Sequence, residues 1–196
     1  MRSWEVWNER RAEELINKWG YPYKKIKRYD KLMSMAARLC VGKSVLDVGC
    51  GFGHLRYYLP DTIQYSGIDI SRSMIAKARE LNTNNSAKFF VGDVYDLSKF
   101  GFYDTVYALS LLIHLPCPCE PLEQLWTHAK KTVIFSAYVL DKEKLEIKDG
   151  GIIYRYESME SLQRVFNKLE IPHSSVEVYS FNDPELSYTK LFRLWK

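Results

Sequence analysis

The chain has 196 residues, 46% hydrophobic and 27% charged, which suffices for one well-covered core and is short for two enzymatic domains, so a single domain over 1–196 is expected. No apolar run approaches the roughly 20 residues that cross a bilayer, and the start, MRSWEVWNERR, lacks the apolar centre of a signal peptide; a soluble, cytoplasmic protein with no membrane partner is expected. A formal charge of +4 falls short of the concentrated excess of dedicated nucleic-acid binders, and four cysteines (Cys40, Cys50, Cys117, Cys119) are too sparse for a disulfide framework.

Helical spacing of Trp4, Trp7, Leu15, Ile16 and Trp19 predicts a first helix over 3–19, capped by Ser3 and stopped by Gly20. A second helix over 24–40 carries Ile26, Leu32, Met33, Ala36, Ala37 and Cys40 toward the core. Its start, Lys24 to Arg28 beside Tyr21, Tyr23 and Tyr29, reads as a solvated face or as a patch for phosphates and bases. Residues 1–40 are thus expected to form an N-terminal helical cap on a core at 41–196.

SVLDVG at 44–49 predicts a strand entering a glycine turn, with a helix then ending near Leu59 and Pro60. IQYSGIDI at 63–70 is a second strand, after which Ser71 caps a helix bearing Met74, Ile75, Ala78 and Leu81. Strands follow at 87–92, 104–110 and 131–139, with a helix over 121–130 between the last two and another over 158–169. SVEVYSF and ELSYTKLFRLW flank the turn signal Asn182-Asp183-Pro184 and predict an antiparallel hairpin closing one sheet edge. Strands joined by helical crossovers favour an α/β fold with a parallel sheet buried on both faces.

Gly49, Gly51 and Gly53 in VLDVGCGFG lie between a buried strand and a helix, where glycine permits positive backbone angles and close approach of a ligand. A dinucleotide fingerprint would want its third glycine at His54, so a nicotinamide-dependent dehydrogenase is disfavoured. The spacing G-x-G-x-G after Asp47 resembles the first motif of class I S-adenosylmethionine-dependent methyltransferases. GIDIS with Asp69, VGDVYDL with Asp93 and Val94, and YDTVYALSLLIHLP at 103–116 resemble the family's next three motifs, in order, across about 45–140. Singly, the turn is often only a tight connection, and Asp69 or Asp93 only a helix cap; their joint registration gives the resemblance its weight.

The resemblance implies a Rossmann-like three-layer sandwich with a mostly parallel seven-stranded sheet and a C-terminal antiparallel hairpin. It implies S-adenosyl-L-methionine as cofactor, held by Asp47, Gly49, Cys50, Gly51, Gly53, Asp69, Ile70, Asp93, Val94, Leu109 and Ser110. Asp69 would accept from the ribose hydroxyls, because a carboxylate only accepts and a diol offers two donors. Asp93 would accept from the adenine amino group, with the Val94 backbone reading the adenine edge.

Methyl transfer from a sulfonium is an in-line displacement in which the protein supplies orientation, desolvation and sometimes a base. The acceptor side offers His114, Tyr23, Tyr138 and Tyr154 as substrate contacts. His114, just after the fourth strand, is the candidate base, with a structural histidine as the other reading. Tyr23, Arg28 and Tyr29 could reach the cofactor, and GIIYRYES at 151–158 is a candidate lid. Cys117-Pro-Cys119 lacks the second pair a four-coordinate metal needs, so no metal is expected. No Asn-Pro-Pro-Tyr motif follows the fourth strand, which argues against the amino methyltransferases that act on adenine or glutamine, and LLIHLP resembles enzymes of small metabolites. The expected function is methyl transfer to a small molecule; an RNA methyltransferase using 24–28 and a non-catalytic cofactor-binding partner subunit are the alternatives.

Overall fold

The structure is a computed structural model that describes residues 6–19, 27–83, 86–148 and 151–196. The chain runs α1 (Glu9–Trp19), α2 (Lys27–Arg38), β1 (Ser44–Val48), β2 (Gln64–Asp69), α3 (Arg72–Leu81), β3 (Lys88–Val91), β4 (Tyr103–Ala108), α4 (Cys119–His128), β5 (Ala129–Val139), β6 (Lys144–Lys148), β7 (Ile152–Glu157), α5 (Met159–Lys168), β8 (Val176–Ser180) and β9 (Thr189–Trp195). Among the described residues one sheet holds all nine strands, in the path β3-β2-β1-β4-β5-β7-β6, with β9 paired to both β5 and β8. The ladders β3-β2-β1-β4-β5 are parallel, and order reverses at β1, where the connection leaves for β4 on the other side. The α/β, Rossmann-like expectation holds and all seven expected strands are present, but the sheet has two further strands, β6 and β7.

Alternating side chains build the two covering layers, as a period of two demands. Val45, Ile134 and Leu191 point to the face covered by α2 and α3, through Leu32, Met33, Ala36 and Ile75. Their neighbours Leu46, Phe135 and Phe192 point to the face covered by α4 and α5, through Leu122, Leu125, Leu162 and Phe166. The Tyr107 hydroxyl on β4 donates to the Ala36 carbonyl at 3.0 Å and ties α2 to the sheet. α1 lies farther out, where Ala12 and Leu15 pack with Phe52 and Met74. Ser71 caps α3 as expected, accepting from the Met74 amide at 3.2 Å; its hydroxyl donates to the Trp7 carbonyl and moors the segment preceding α1.

Three details differ from expectation. The α-helix expected after the glycine turn is a 3-10 helix, His54–Tyr58. It starts from left-handed Gly53 and ends at Leu59, which Pro60 holds extended at ψ 145°, leaving too few residues for α-helical turns. The tail hairpin does form, yet β9 inserts beside β5 over Thr132–Tyr138 and only β8 lies at the edge. The candidate lid 151–158 is instead strand β7, paired with β6, a strand that apolar patterning did not reveal. Trp4, Ser3, Tyr21, Tyr23 and 24–26 lie outside the described residues.

Candidate active site

A deep cavity opens beyond the carboxyl ends of β1, β2, β3 and β4, at the point where strand order reverses, as in open α/β sheets generally. Its floor is the glycine turn. Ile68 at the end of β2 accepts from the Gly49 and Cys50 amides at 2.8 and 3.0 Å, pinning the turn to the neighbouring strand. Asp69, one residue on, accepts from the Gly51 amide at 3.0 Å and the Ser71 amide at 2.9 Å through different oxygens. Each oxygen retains acceptor capacity, and burial pushes the carboxyl above its ordinary range against those two amides.

All three glycines of the turn have positive φ, and Gly53 and Gly51 are required for different reasons. Gly53 has φ 79°, and a Cβ there would stand 2.6 Å from the Phe89 ring. Gly51 has φ 53°, yet a Cβ there would meet nothing within 4 Å; it lines the cavity, and the space beside it is open.

Beneath the turn, Asp47 is buried and accepts from the Tyr65 hydroxyl at 2.6 Å. Burial raises its pKa to about 7, opposed by that hydrogen bond and assisted by the nearby Asp69. The β3 end contributes exposed Asp93, whose Oδ1 accepts from the Tyr95 amide at 3.0 Å, and buried Val94. From β4 come Leu109 and Ser110. Ser110 has φ 55°, a left-handed angle rare outside glycine, and its amide donates to the Ser136 hydroxyl at 2.7 Å. Backbone strain of this kind concentrates at functional sites.

The opposite wall is aromatic. His114, in a short 3-10 helix after β4, has Nδ1 2.8 Å from the Ile153 carbonyl of β7. A carbonyl only accepts, so Nδ1 carries the proton and Nε2 keeps its lone pair. Burial lowers the His114 pKa, the Ile153 hydrogen bond opposes this, and Arg11 assists it; the ring is a neutral base at pH 7. Trp7 packs edge-on at 5.0 Å and Tyr154 at 5.4 Å from its ring centre. The Arg155 guanidinium of β7 donates to the Pro116 carbonyl at 2.6 Å and ties down the loop behind His114.

The cavity thus brings together ten of the eleven expected cofactor residues, Asp47, Gly49, Cys50, Gly51, Asp69, Ile70, Asp93, Val94, Leu109 and Ser110, together with His114. Gly53 is the exception: it packs under Phe89 and shapes the turn without lining the cavity. Tyr154 and Tyr138 stand behind the lining, Tyr154 against His114 and Tyr138 against Tyr156 at 5.5 Å. Expected Tyr23 lies outside the described residues. Met74, Leu111, Leu115 and His54 line the cavity without having been singled out for it. Burial lowers His54 to about 2, so its ring is neutral in place. Leu111 and Leu115 lie outside any periodic pattern, and Met74 reads in sequence as a core residue of its helix, so their place at the cavity follows only from the fold.

Residues 45–133 match a family model described as a methyltransferase domain. No curated protein matches the chain. Among solved structures, it is similar to magnesium protoporphyrin IX methyltransferase from Synechocystis PCC 6803 with bound S-adenosylhomocysteine, with TM-score 0.70, 20% identity, and coverage of 98% of this chain and 96% of that one. It is similar to the putative methyltransferase in a complex with the Haloferax volcanii Trm112 methyltransferase activator, with TM-score 0.70, 17% identity, and coverage of 98% and 95%. A third likeness is an S-adenosylmethionine-dependent methyltransferase from Clostridium acetobutylicum, with TM-score 0.68, 13% identity, and coverage of 91% and 98%.

Proposed function

We propose that this chain, a class I S-adenosylmethionine-dependent methyltransferase, moves the methyl group to an acceptor of metabolite size held between the glycine turn and the helices α1 and α2. The carrying observation is that a single cavity has carboxylates on its floor and an aromatic wall with a neutral histidine opposite. Three carboxylates, Asp47, Asp69 and Asp93, in an otherwise largely apolar cavity suit a ligand that brings positive charge and hydrogen-bond donors. The sulfonium, the ammonium and the ribose diol of S-adenosylmethionine supply both.

In this reading Asp47 would take the ammonium, Asp69 the diol through its remaining lone pairs, and Asp93 with Val94 the adenine edge. Ser110 and Leu109, fixed by the Ser136 hydrogen bond, would border the transferred group. When bound, the cofactor supplies an electrophilic methyl on sulfur. Trp7, Met33 and Leu115 exclude water from the reaction volume, and His114 Nε2 accepts the proton that an acceptor hydroxyl gives up as its oxygen attacks. A buried cavity roofed by helices favours a small acceptor over a polymer strand.

The test is turnover of methyl-labelled S-adenosylmethionine against a metabolite panel and bulk RNA, with calorimetry of S-adenosylhomocysteine beside a nicotinamide dinucleotide. Label transfer to a metabolite supports the proposal. Transfer to RNA alone rejects its acceptor class, and tight cofactor binding with no turnover against either favours the partner-subunit alternative.

A further inference from the structure

The acids of the cavity and the cations that stand behind its lining are on different sides. Asp47, Asp69 and Asp93 stand at the floor, whereas the cations near its upper part come from the N-terminal helices. Arg28 of α2 places its guanidinium carbon 5.1 Å from the centre of the Tyr29 ring, and Tyr29 lines the cavity. Among the described residues Arg28 has no carboxylate partner; its neighbours are phenols, since Tyr29 and Tyr138 both feel its charge, and both also feel Tyr154. Tyr154 in turn packs edge-on against His114. Arg11 of α1 is the second cation, felt by His114. Its Nη1 reaches Glu14 at 3.4 Å, and its buried Nε has no hydrogen-bond partner. The nearest acid of α2, Asp30, is engaged elsewhere, accepting from the Tyr58 hydroxyl at 2.9 Å.

Resting on the methyltransferase reading of this site, we propose that the acceptor is an aromatic carboxylate bearing a ring hydroxyl, with Arg28 binding its carboxylate beside the cavity-lining rings of Tyr29 and Trp7. Two arguments carry this. A planar guanidinium lying over a cavity-lining ring, with no acid beside it among the described residues, is matched by a fork of two carboxylate oxygens. Flat rings of Tyr29, Trp7 and His114 around the same volume favour a flat partner, for which stacking adds to burial. The polarity of the cavity also fixes orientation, because the anionic end of the acceptor is repelled from Asp47, Asp69 and Asp93 and directed to the helices. Its hydroxyl is then the group that faces His114. In the step itself the phenol oxygen forms a bond to the methyl carbon, the carbon–sulfur bond breaks with its electron pair on sulfur, and the phenol proton passes to His114 Nε2. Arg28 acts as a specificity residue, setting which acceptors enter, without taking part in proton transfer.

The experiment is calorimetry on protein saturated with S-adenosylhomocysteine, titrated with 4-hydroxybenzoate, its neutral analogue 4-hydroxybenzamide and phenyl phosphate. The expected result is at least tenfold tighter binding of the acid than of the amide or the phosphate, a preference lost in Arg28→Met and partly kept in Arg28→Lys. A cooperative melting curve of Arg28→Met close to that of the unaltered protein shows the variant folded. Equal binding of acid and amide, a preference for the phosphate, or an undiminished acid preference in Arg28→Met overturns the proposal. Failure of S-adenosylhomocysteine to bind the unaltered protein overturns instead the reading of the site on which it rests.

Discussion

The Tyr65 hydroxyl on β2 donates to the Asp47 carboxylate on β1 at 2.6 Å, within the core and directly behind the glycine turn. Burial holds this carboxyl at about 7 and the Tyr65 hydrogen bond keeps it from rising further, so its charge changes within the ordinary working range. In the ligand-free protein a folded value above the unfolded one means that the native state binds the proton more tightly. The contribution to stability is therefore present below the ordinary carboxylate range and is lost as pH rises through about 7. Cofactor binding runs the other way, because an ammonium needs the ionised form. The expected outcome is S-adenosylmethionine affinity that tightens as pH is raised through about 7, with the Tyr65→Phe variant shifted to higher pH. Calorimetry across this range checks it; a flat profile in both proteins removes Asp47 from the cofactor site.

Asp69 does two things at once, holding the Gly51 and Ser71 amides and offering its remaining lone pairs to the cavity. Asp69→Ala is expected to weaken cofactor binding by about 1–3 kcal/mol, the cost of losing a charged acceptor for a hydroxyl. Part of the loss is expected as reduced thermal stability, since two backbone donors lose their partner. Titration calorimetry and a melting curve on the same sample separate the two, and unchanged affinity in a folded variant refutes the assignment.

The parallel core was legible in sequence because its strands are buried on both faces and read as apolar runs broken by glycine, asparagine and proline, as at Val45 to Val48 and Val106 to Ala108. The β6–β7 hairpin was not. In β6 the side chains of Leu145 and Ile147 are 45% and 67% exposed, so no buried stripe exists, and the strand is held by its backbone ladder to β7. The cofactor side was legible because carboxylates and glycines recur at strand ends, whereas the acceptor wall was only partly so. His114 acquires its tautomer from the carbonyl of Ile153, far along the chain; no local spacing encodes such a pairing.

His114 is expected to act on kcat and not on cofactor binding. His114→Ala is expected to lower kcat by about 10²–10⁴-fold, the range of general-base contributions, while leaving S-adenosylhomocysteine affinity within twofold or so, because the ring lies on the acceptor wall. Burial lowers its pKa, so the acid limb of kcat is expected below the usual imidazole value, distinct from the Asp47 effect on the KM for the cofactor. Steady-state kinetics at saturating cofactor isolates that limb; a His114→Ala enzyme with undiminished kcat makes this residue structural.

Gly51 and Gly53 offer a contrast that separates folding from binding within one turn. Both have positive φ, so alanine at either position costs about 1–2 kcal/mol of backbone strain. At Gly53 the new Cβ also stands 2.6 Å from the Phe89 ring, and Phe89 is buried, so a further 1–3 kcal/mol or so of overpacking is expected. At Gly51 the same Cβ meets no protein atom and projects beside the space a cofactor needs. Gly53→Ala is therefore expected to show the larger fall in melting temperature, and Gly51→Ala the larger fall in S-adenosylhomocysteine affinity relative to its stability loss. Melting curves with and without S-adenosylhomocysteine measure both quantities. If Gly51→Ala instead binds as tightly as the unaltered protein, the space beside that glycine is not where the cofactor lies, and the placement of the nucleoside over the turn has to be abandoned.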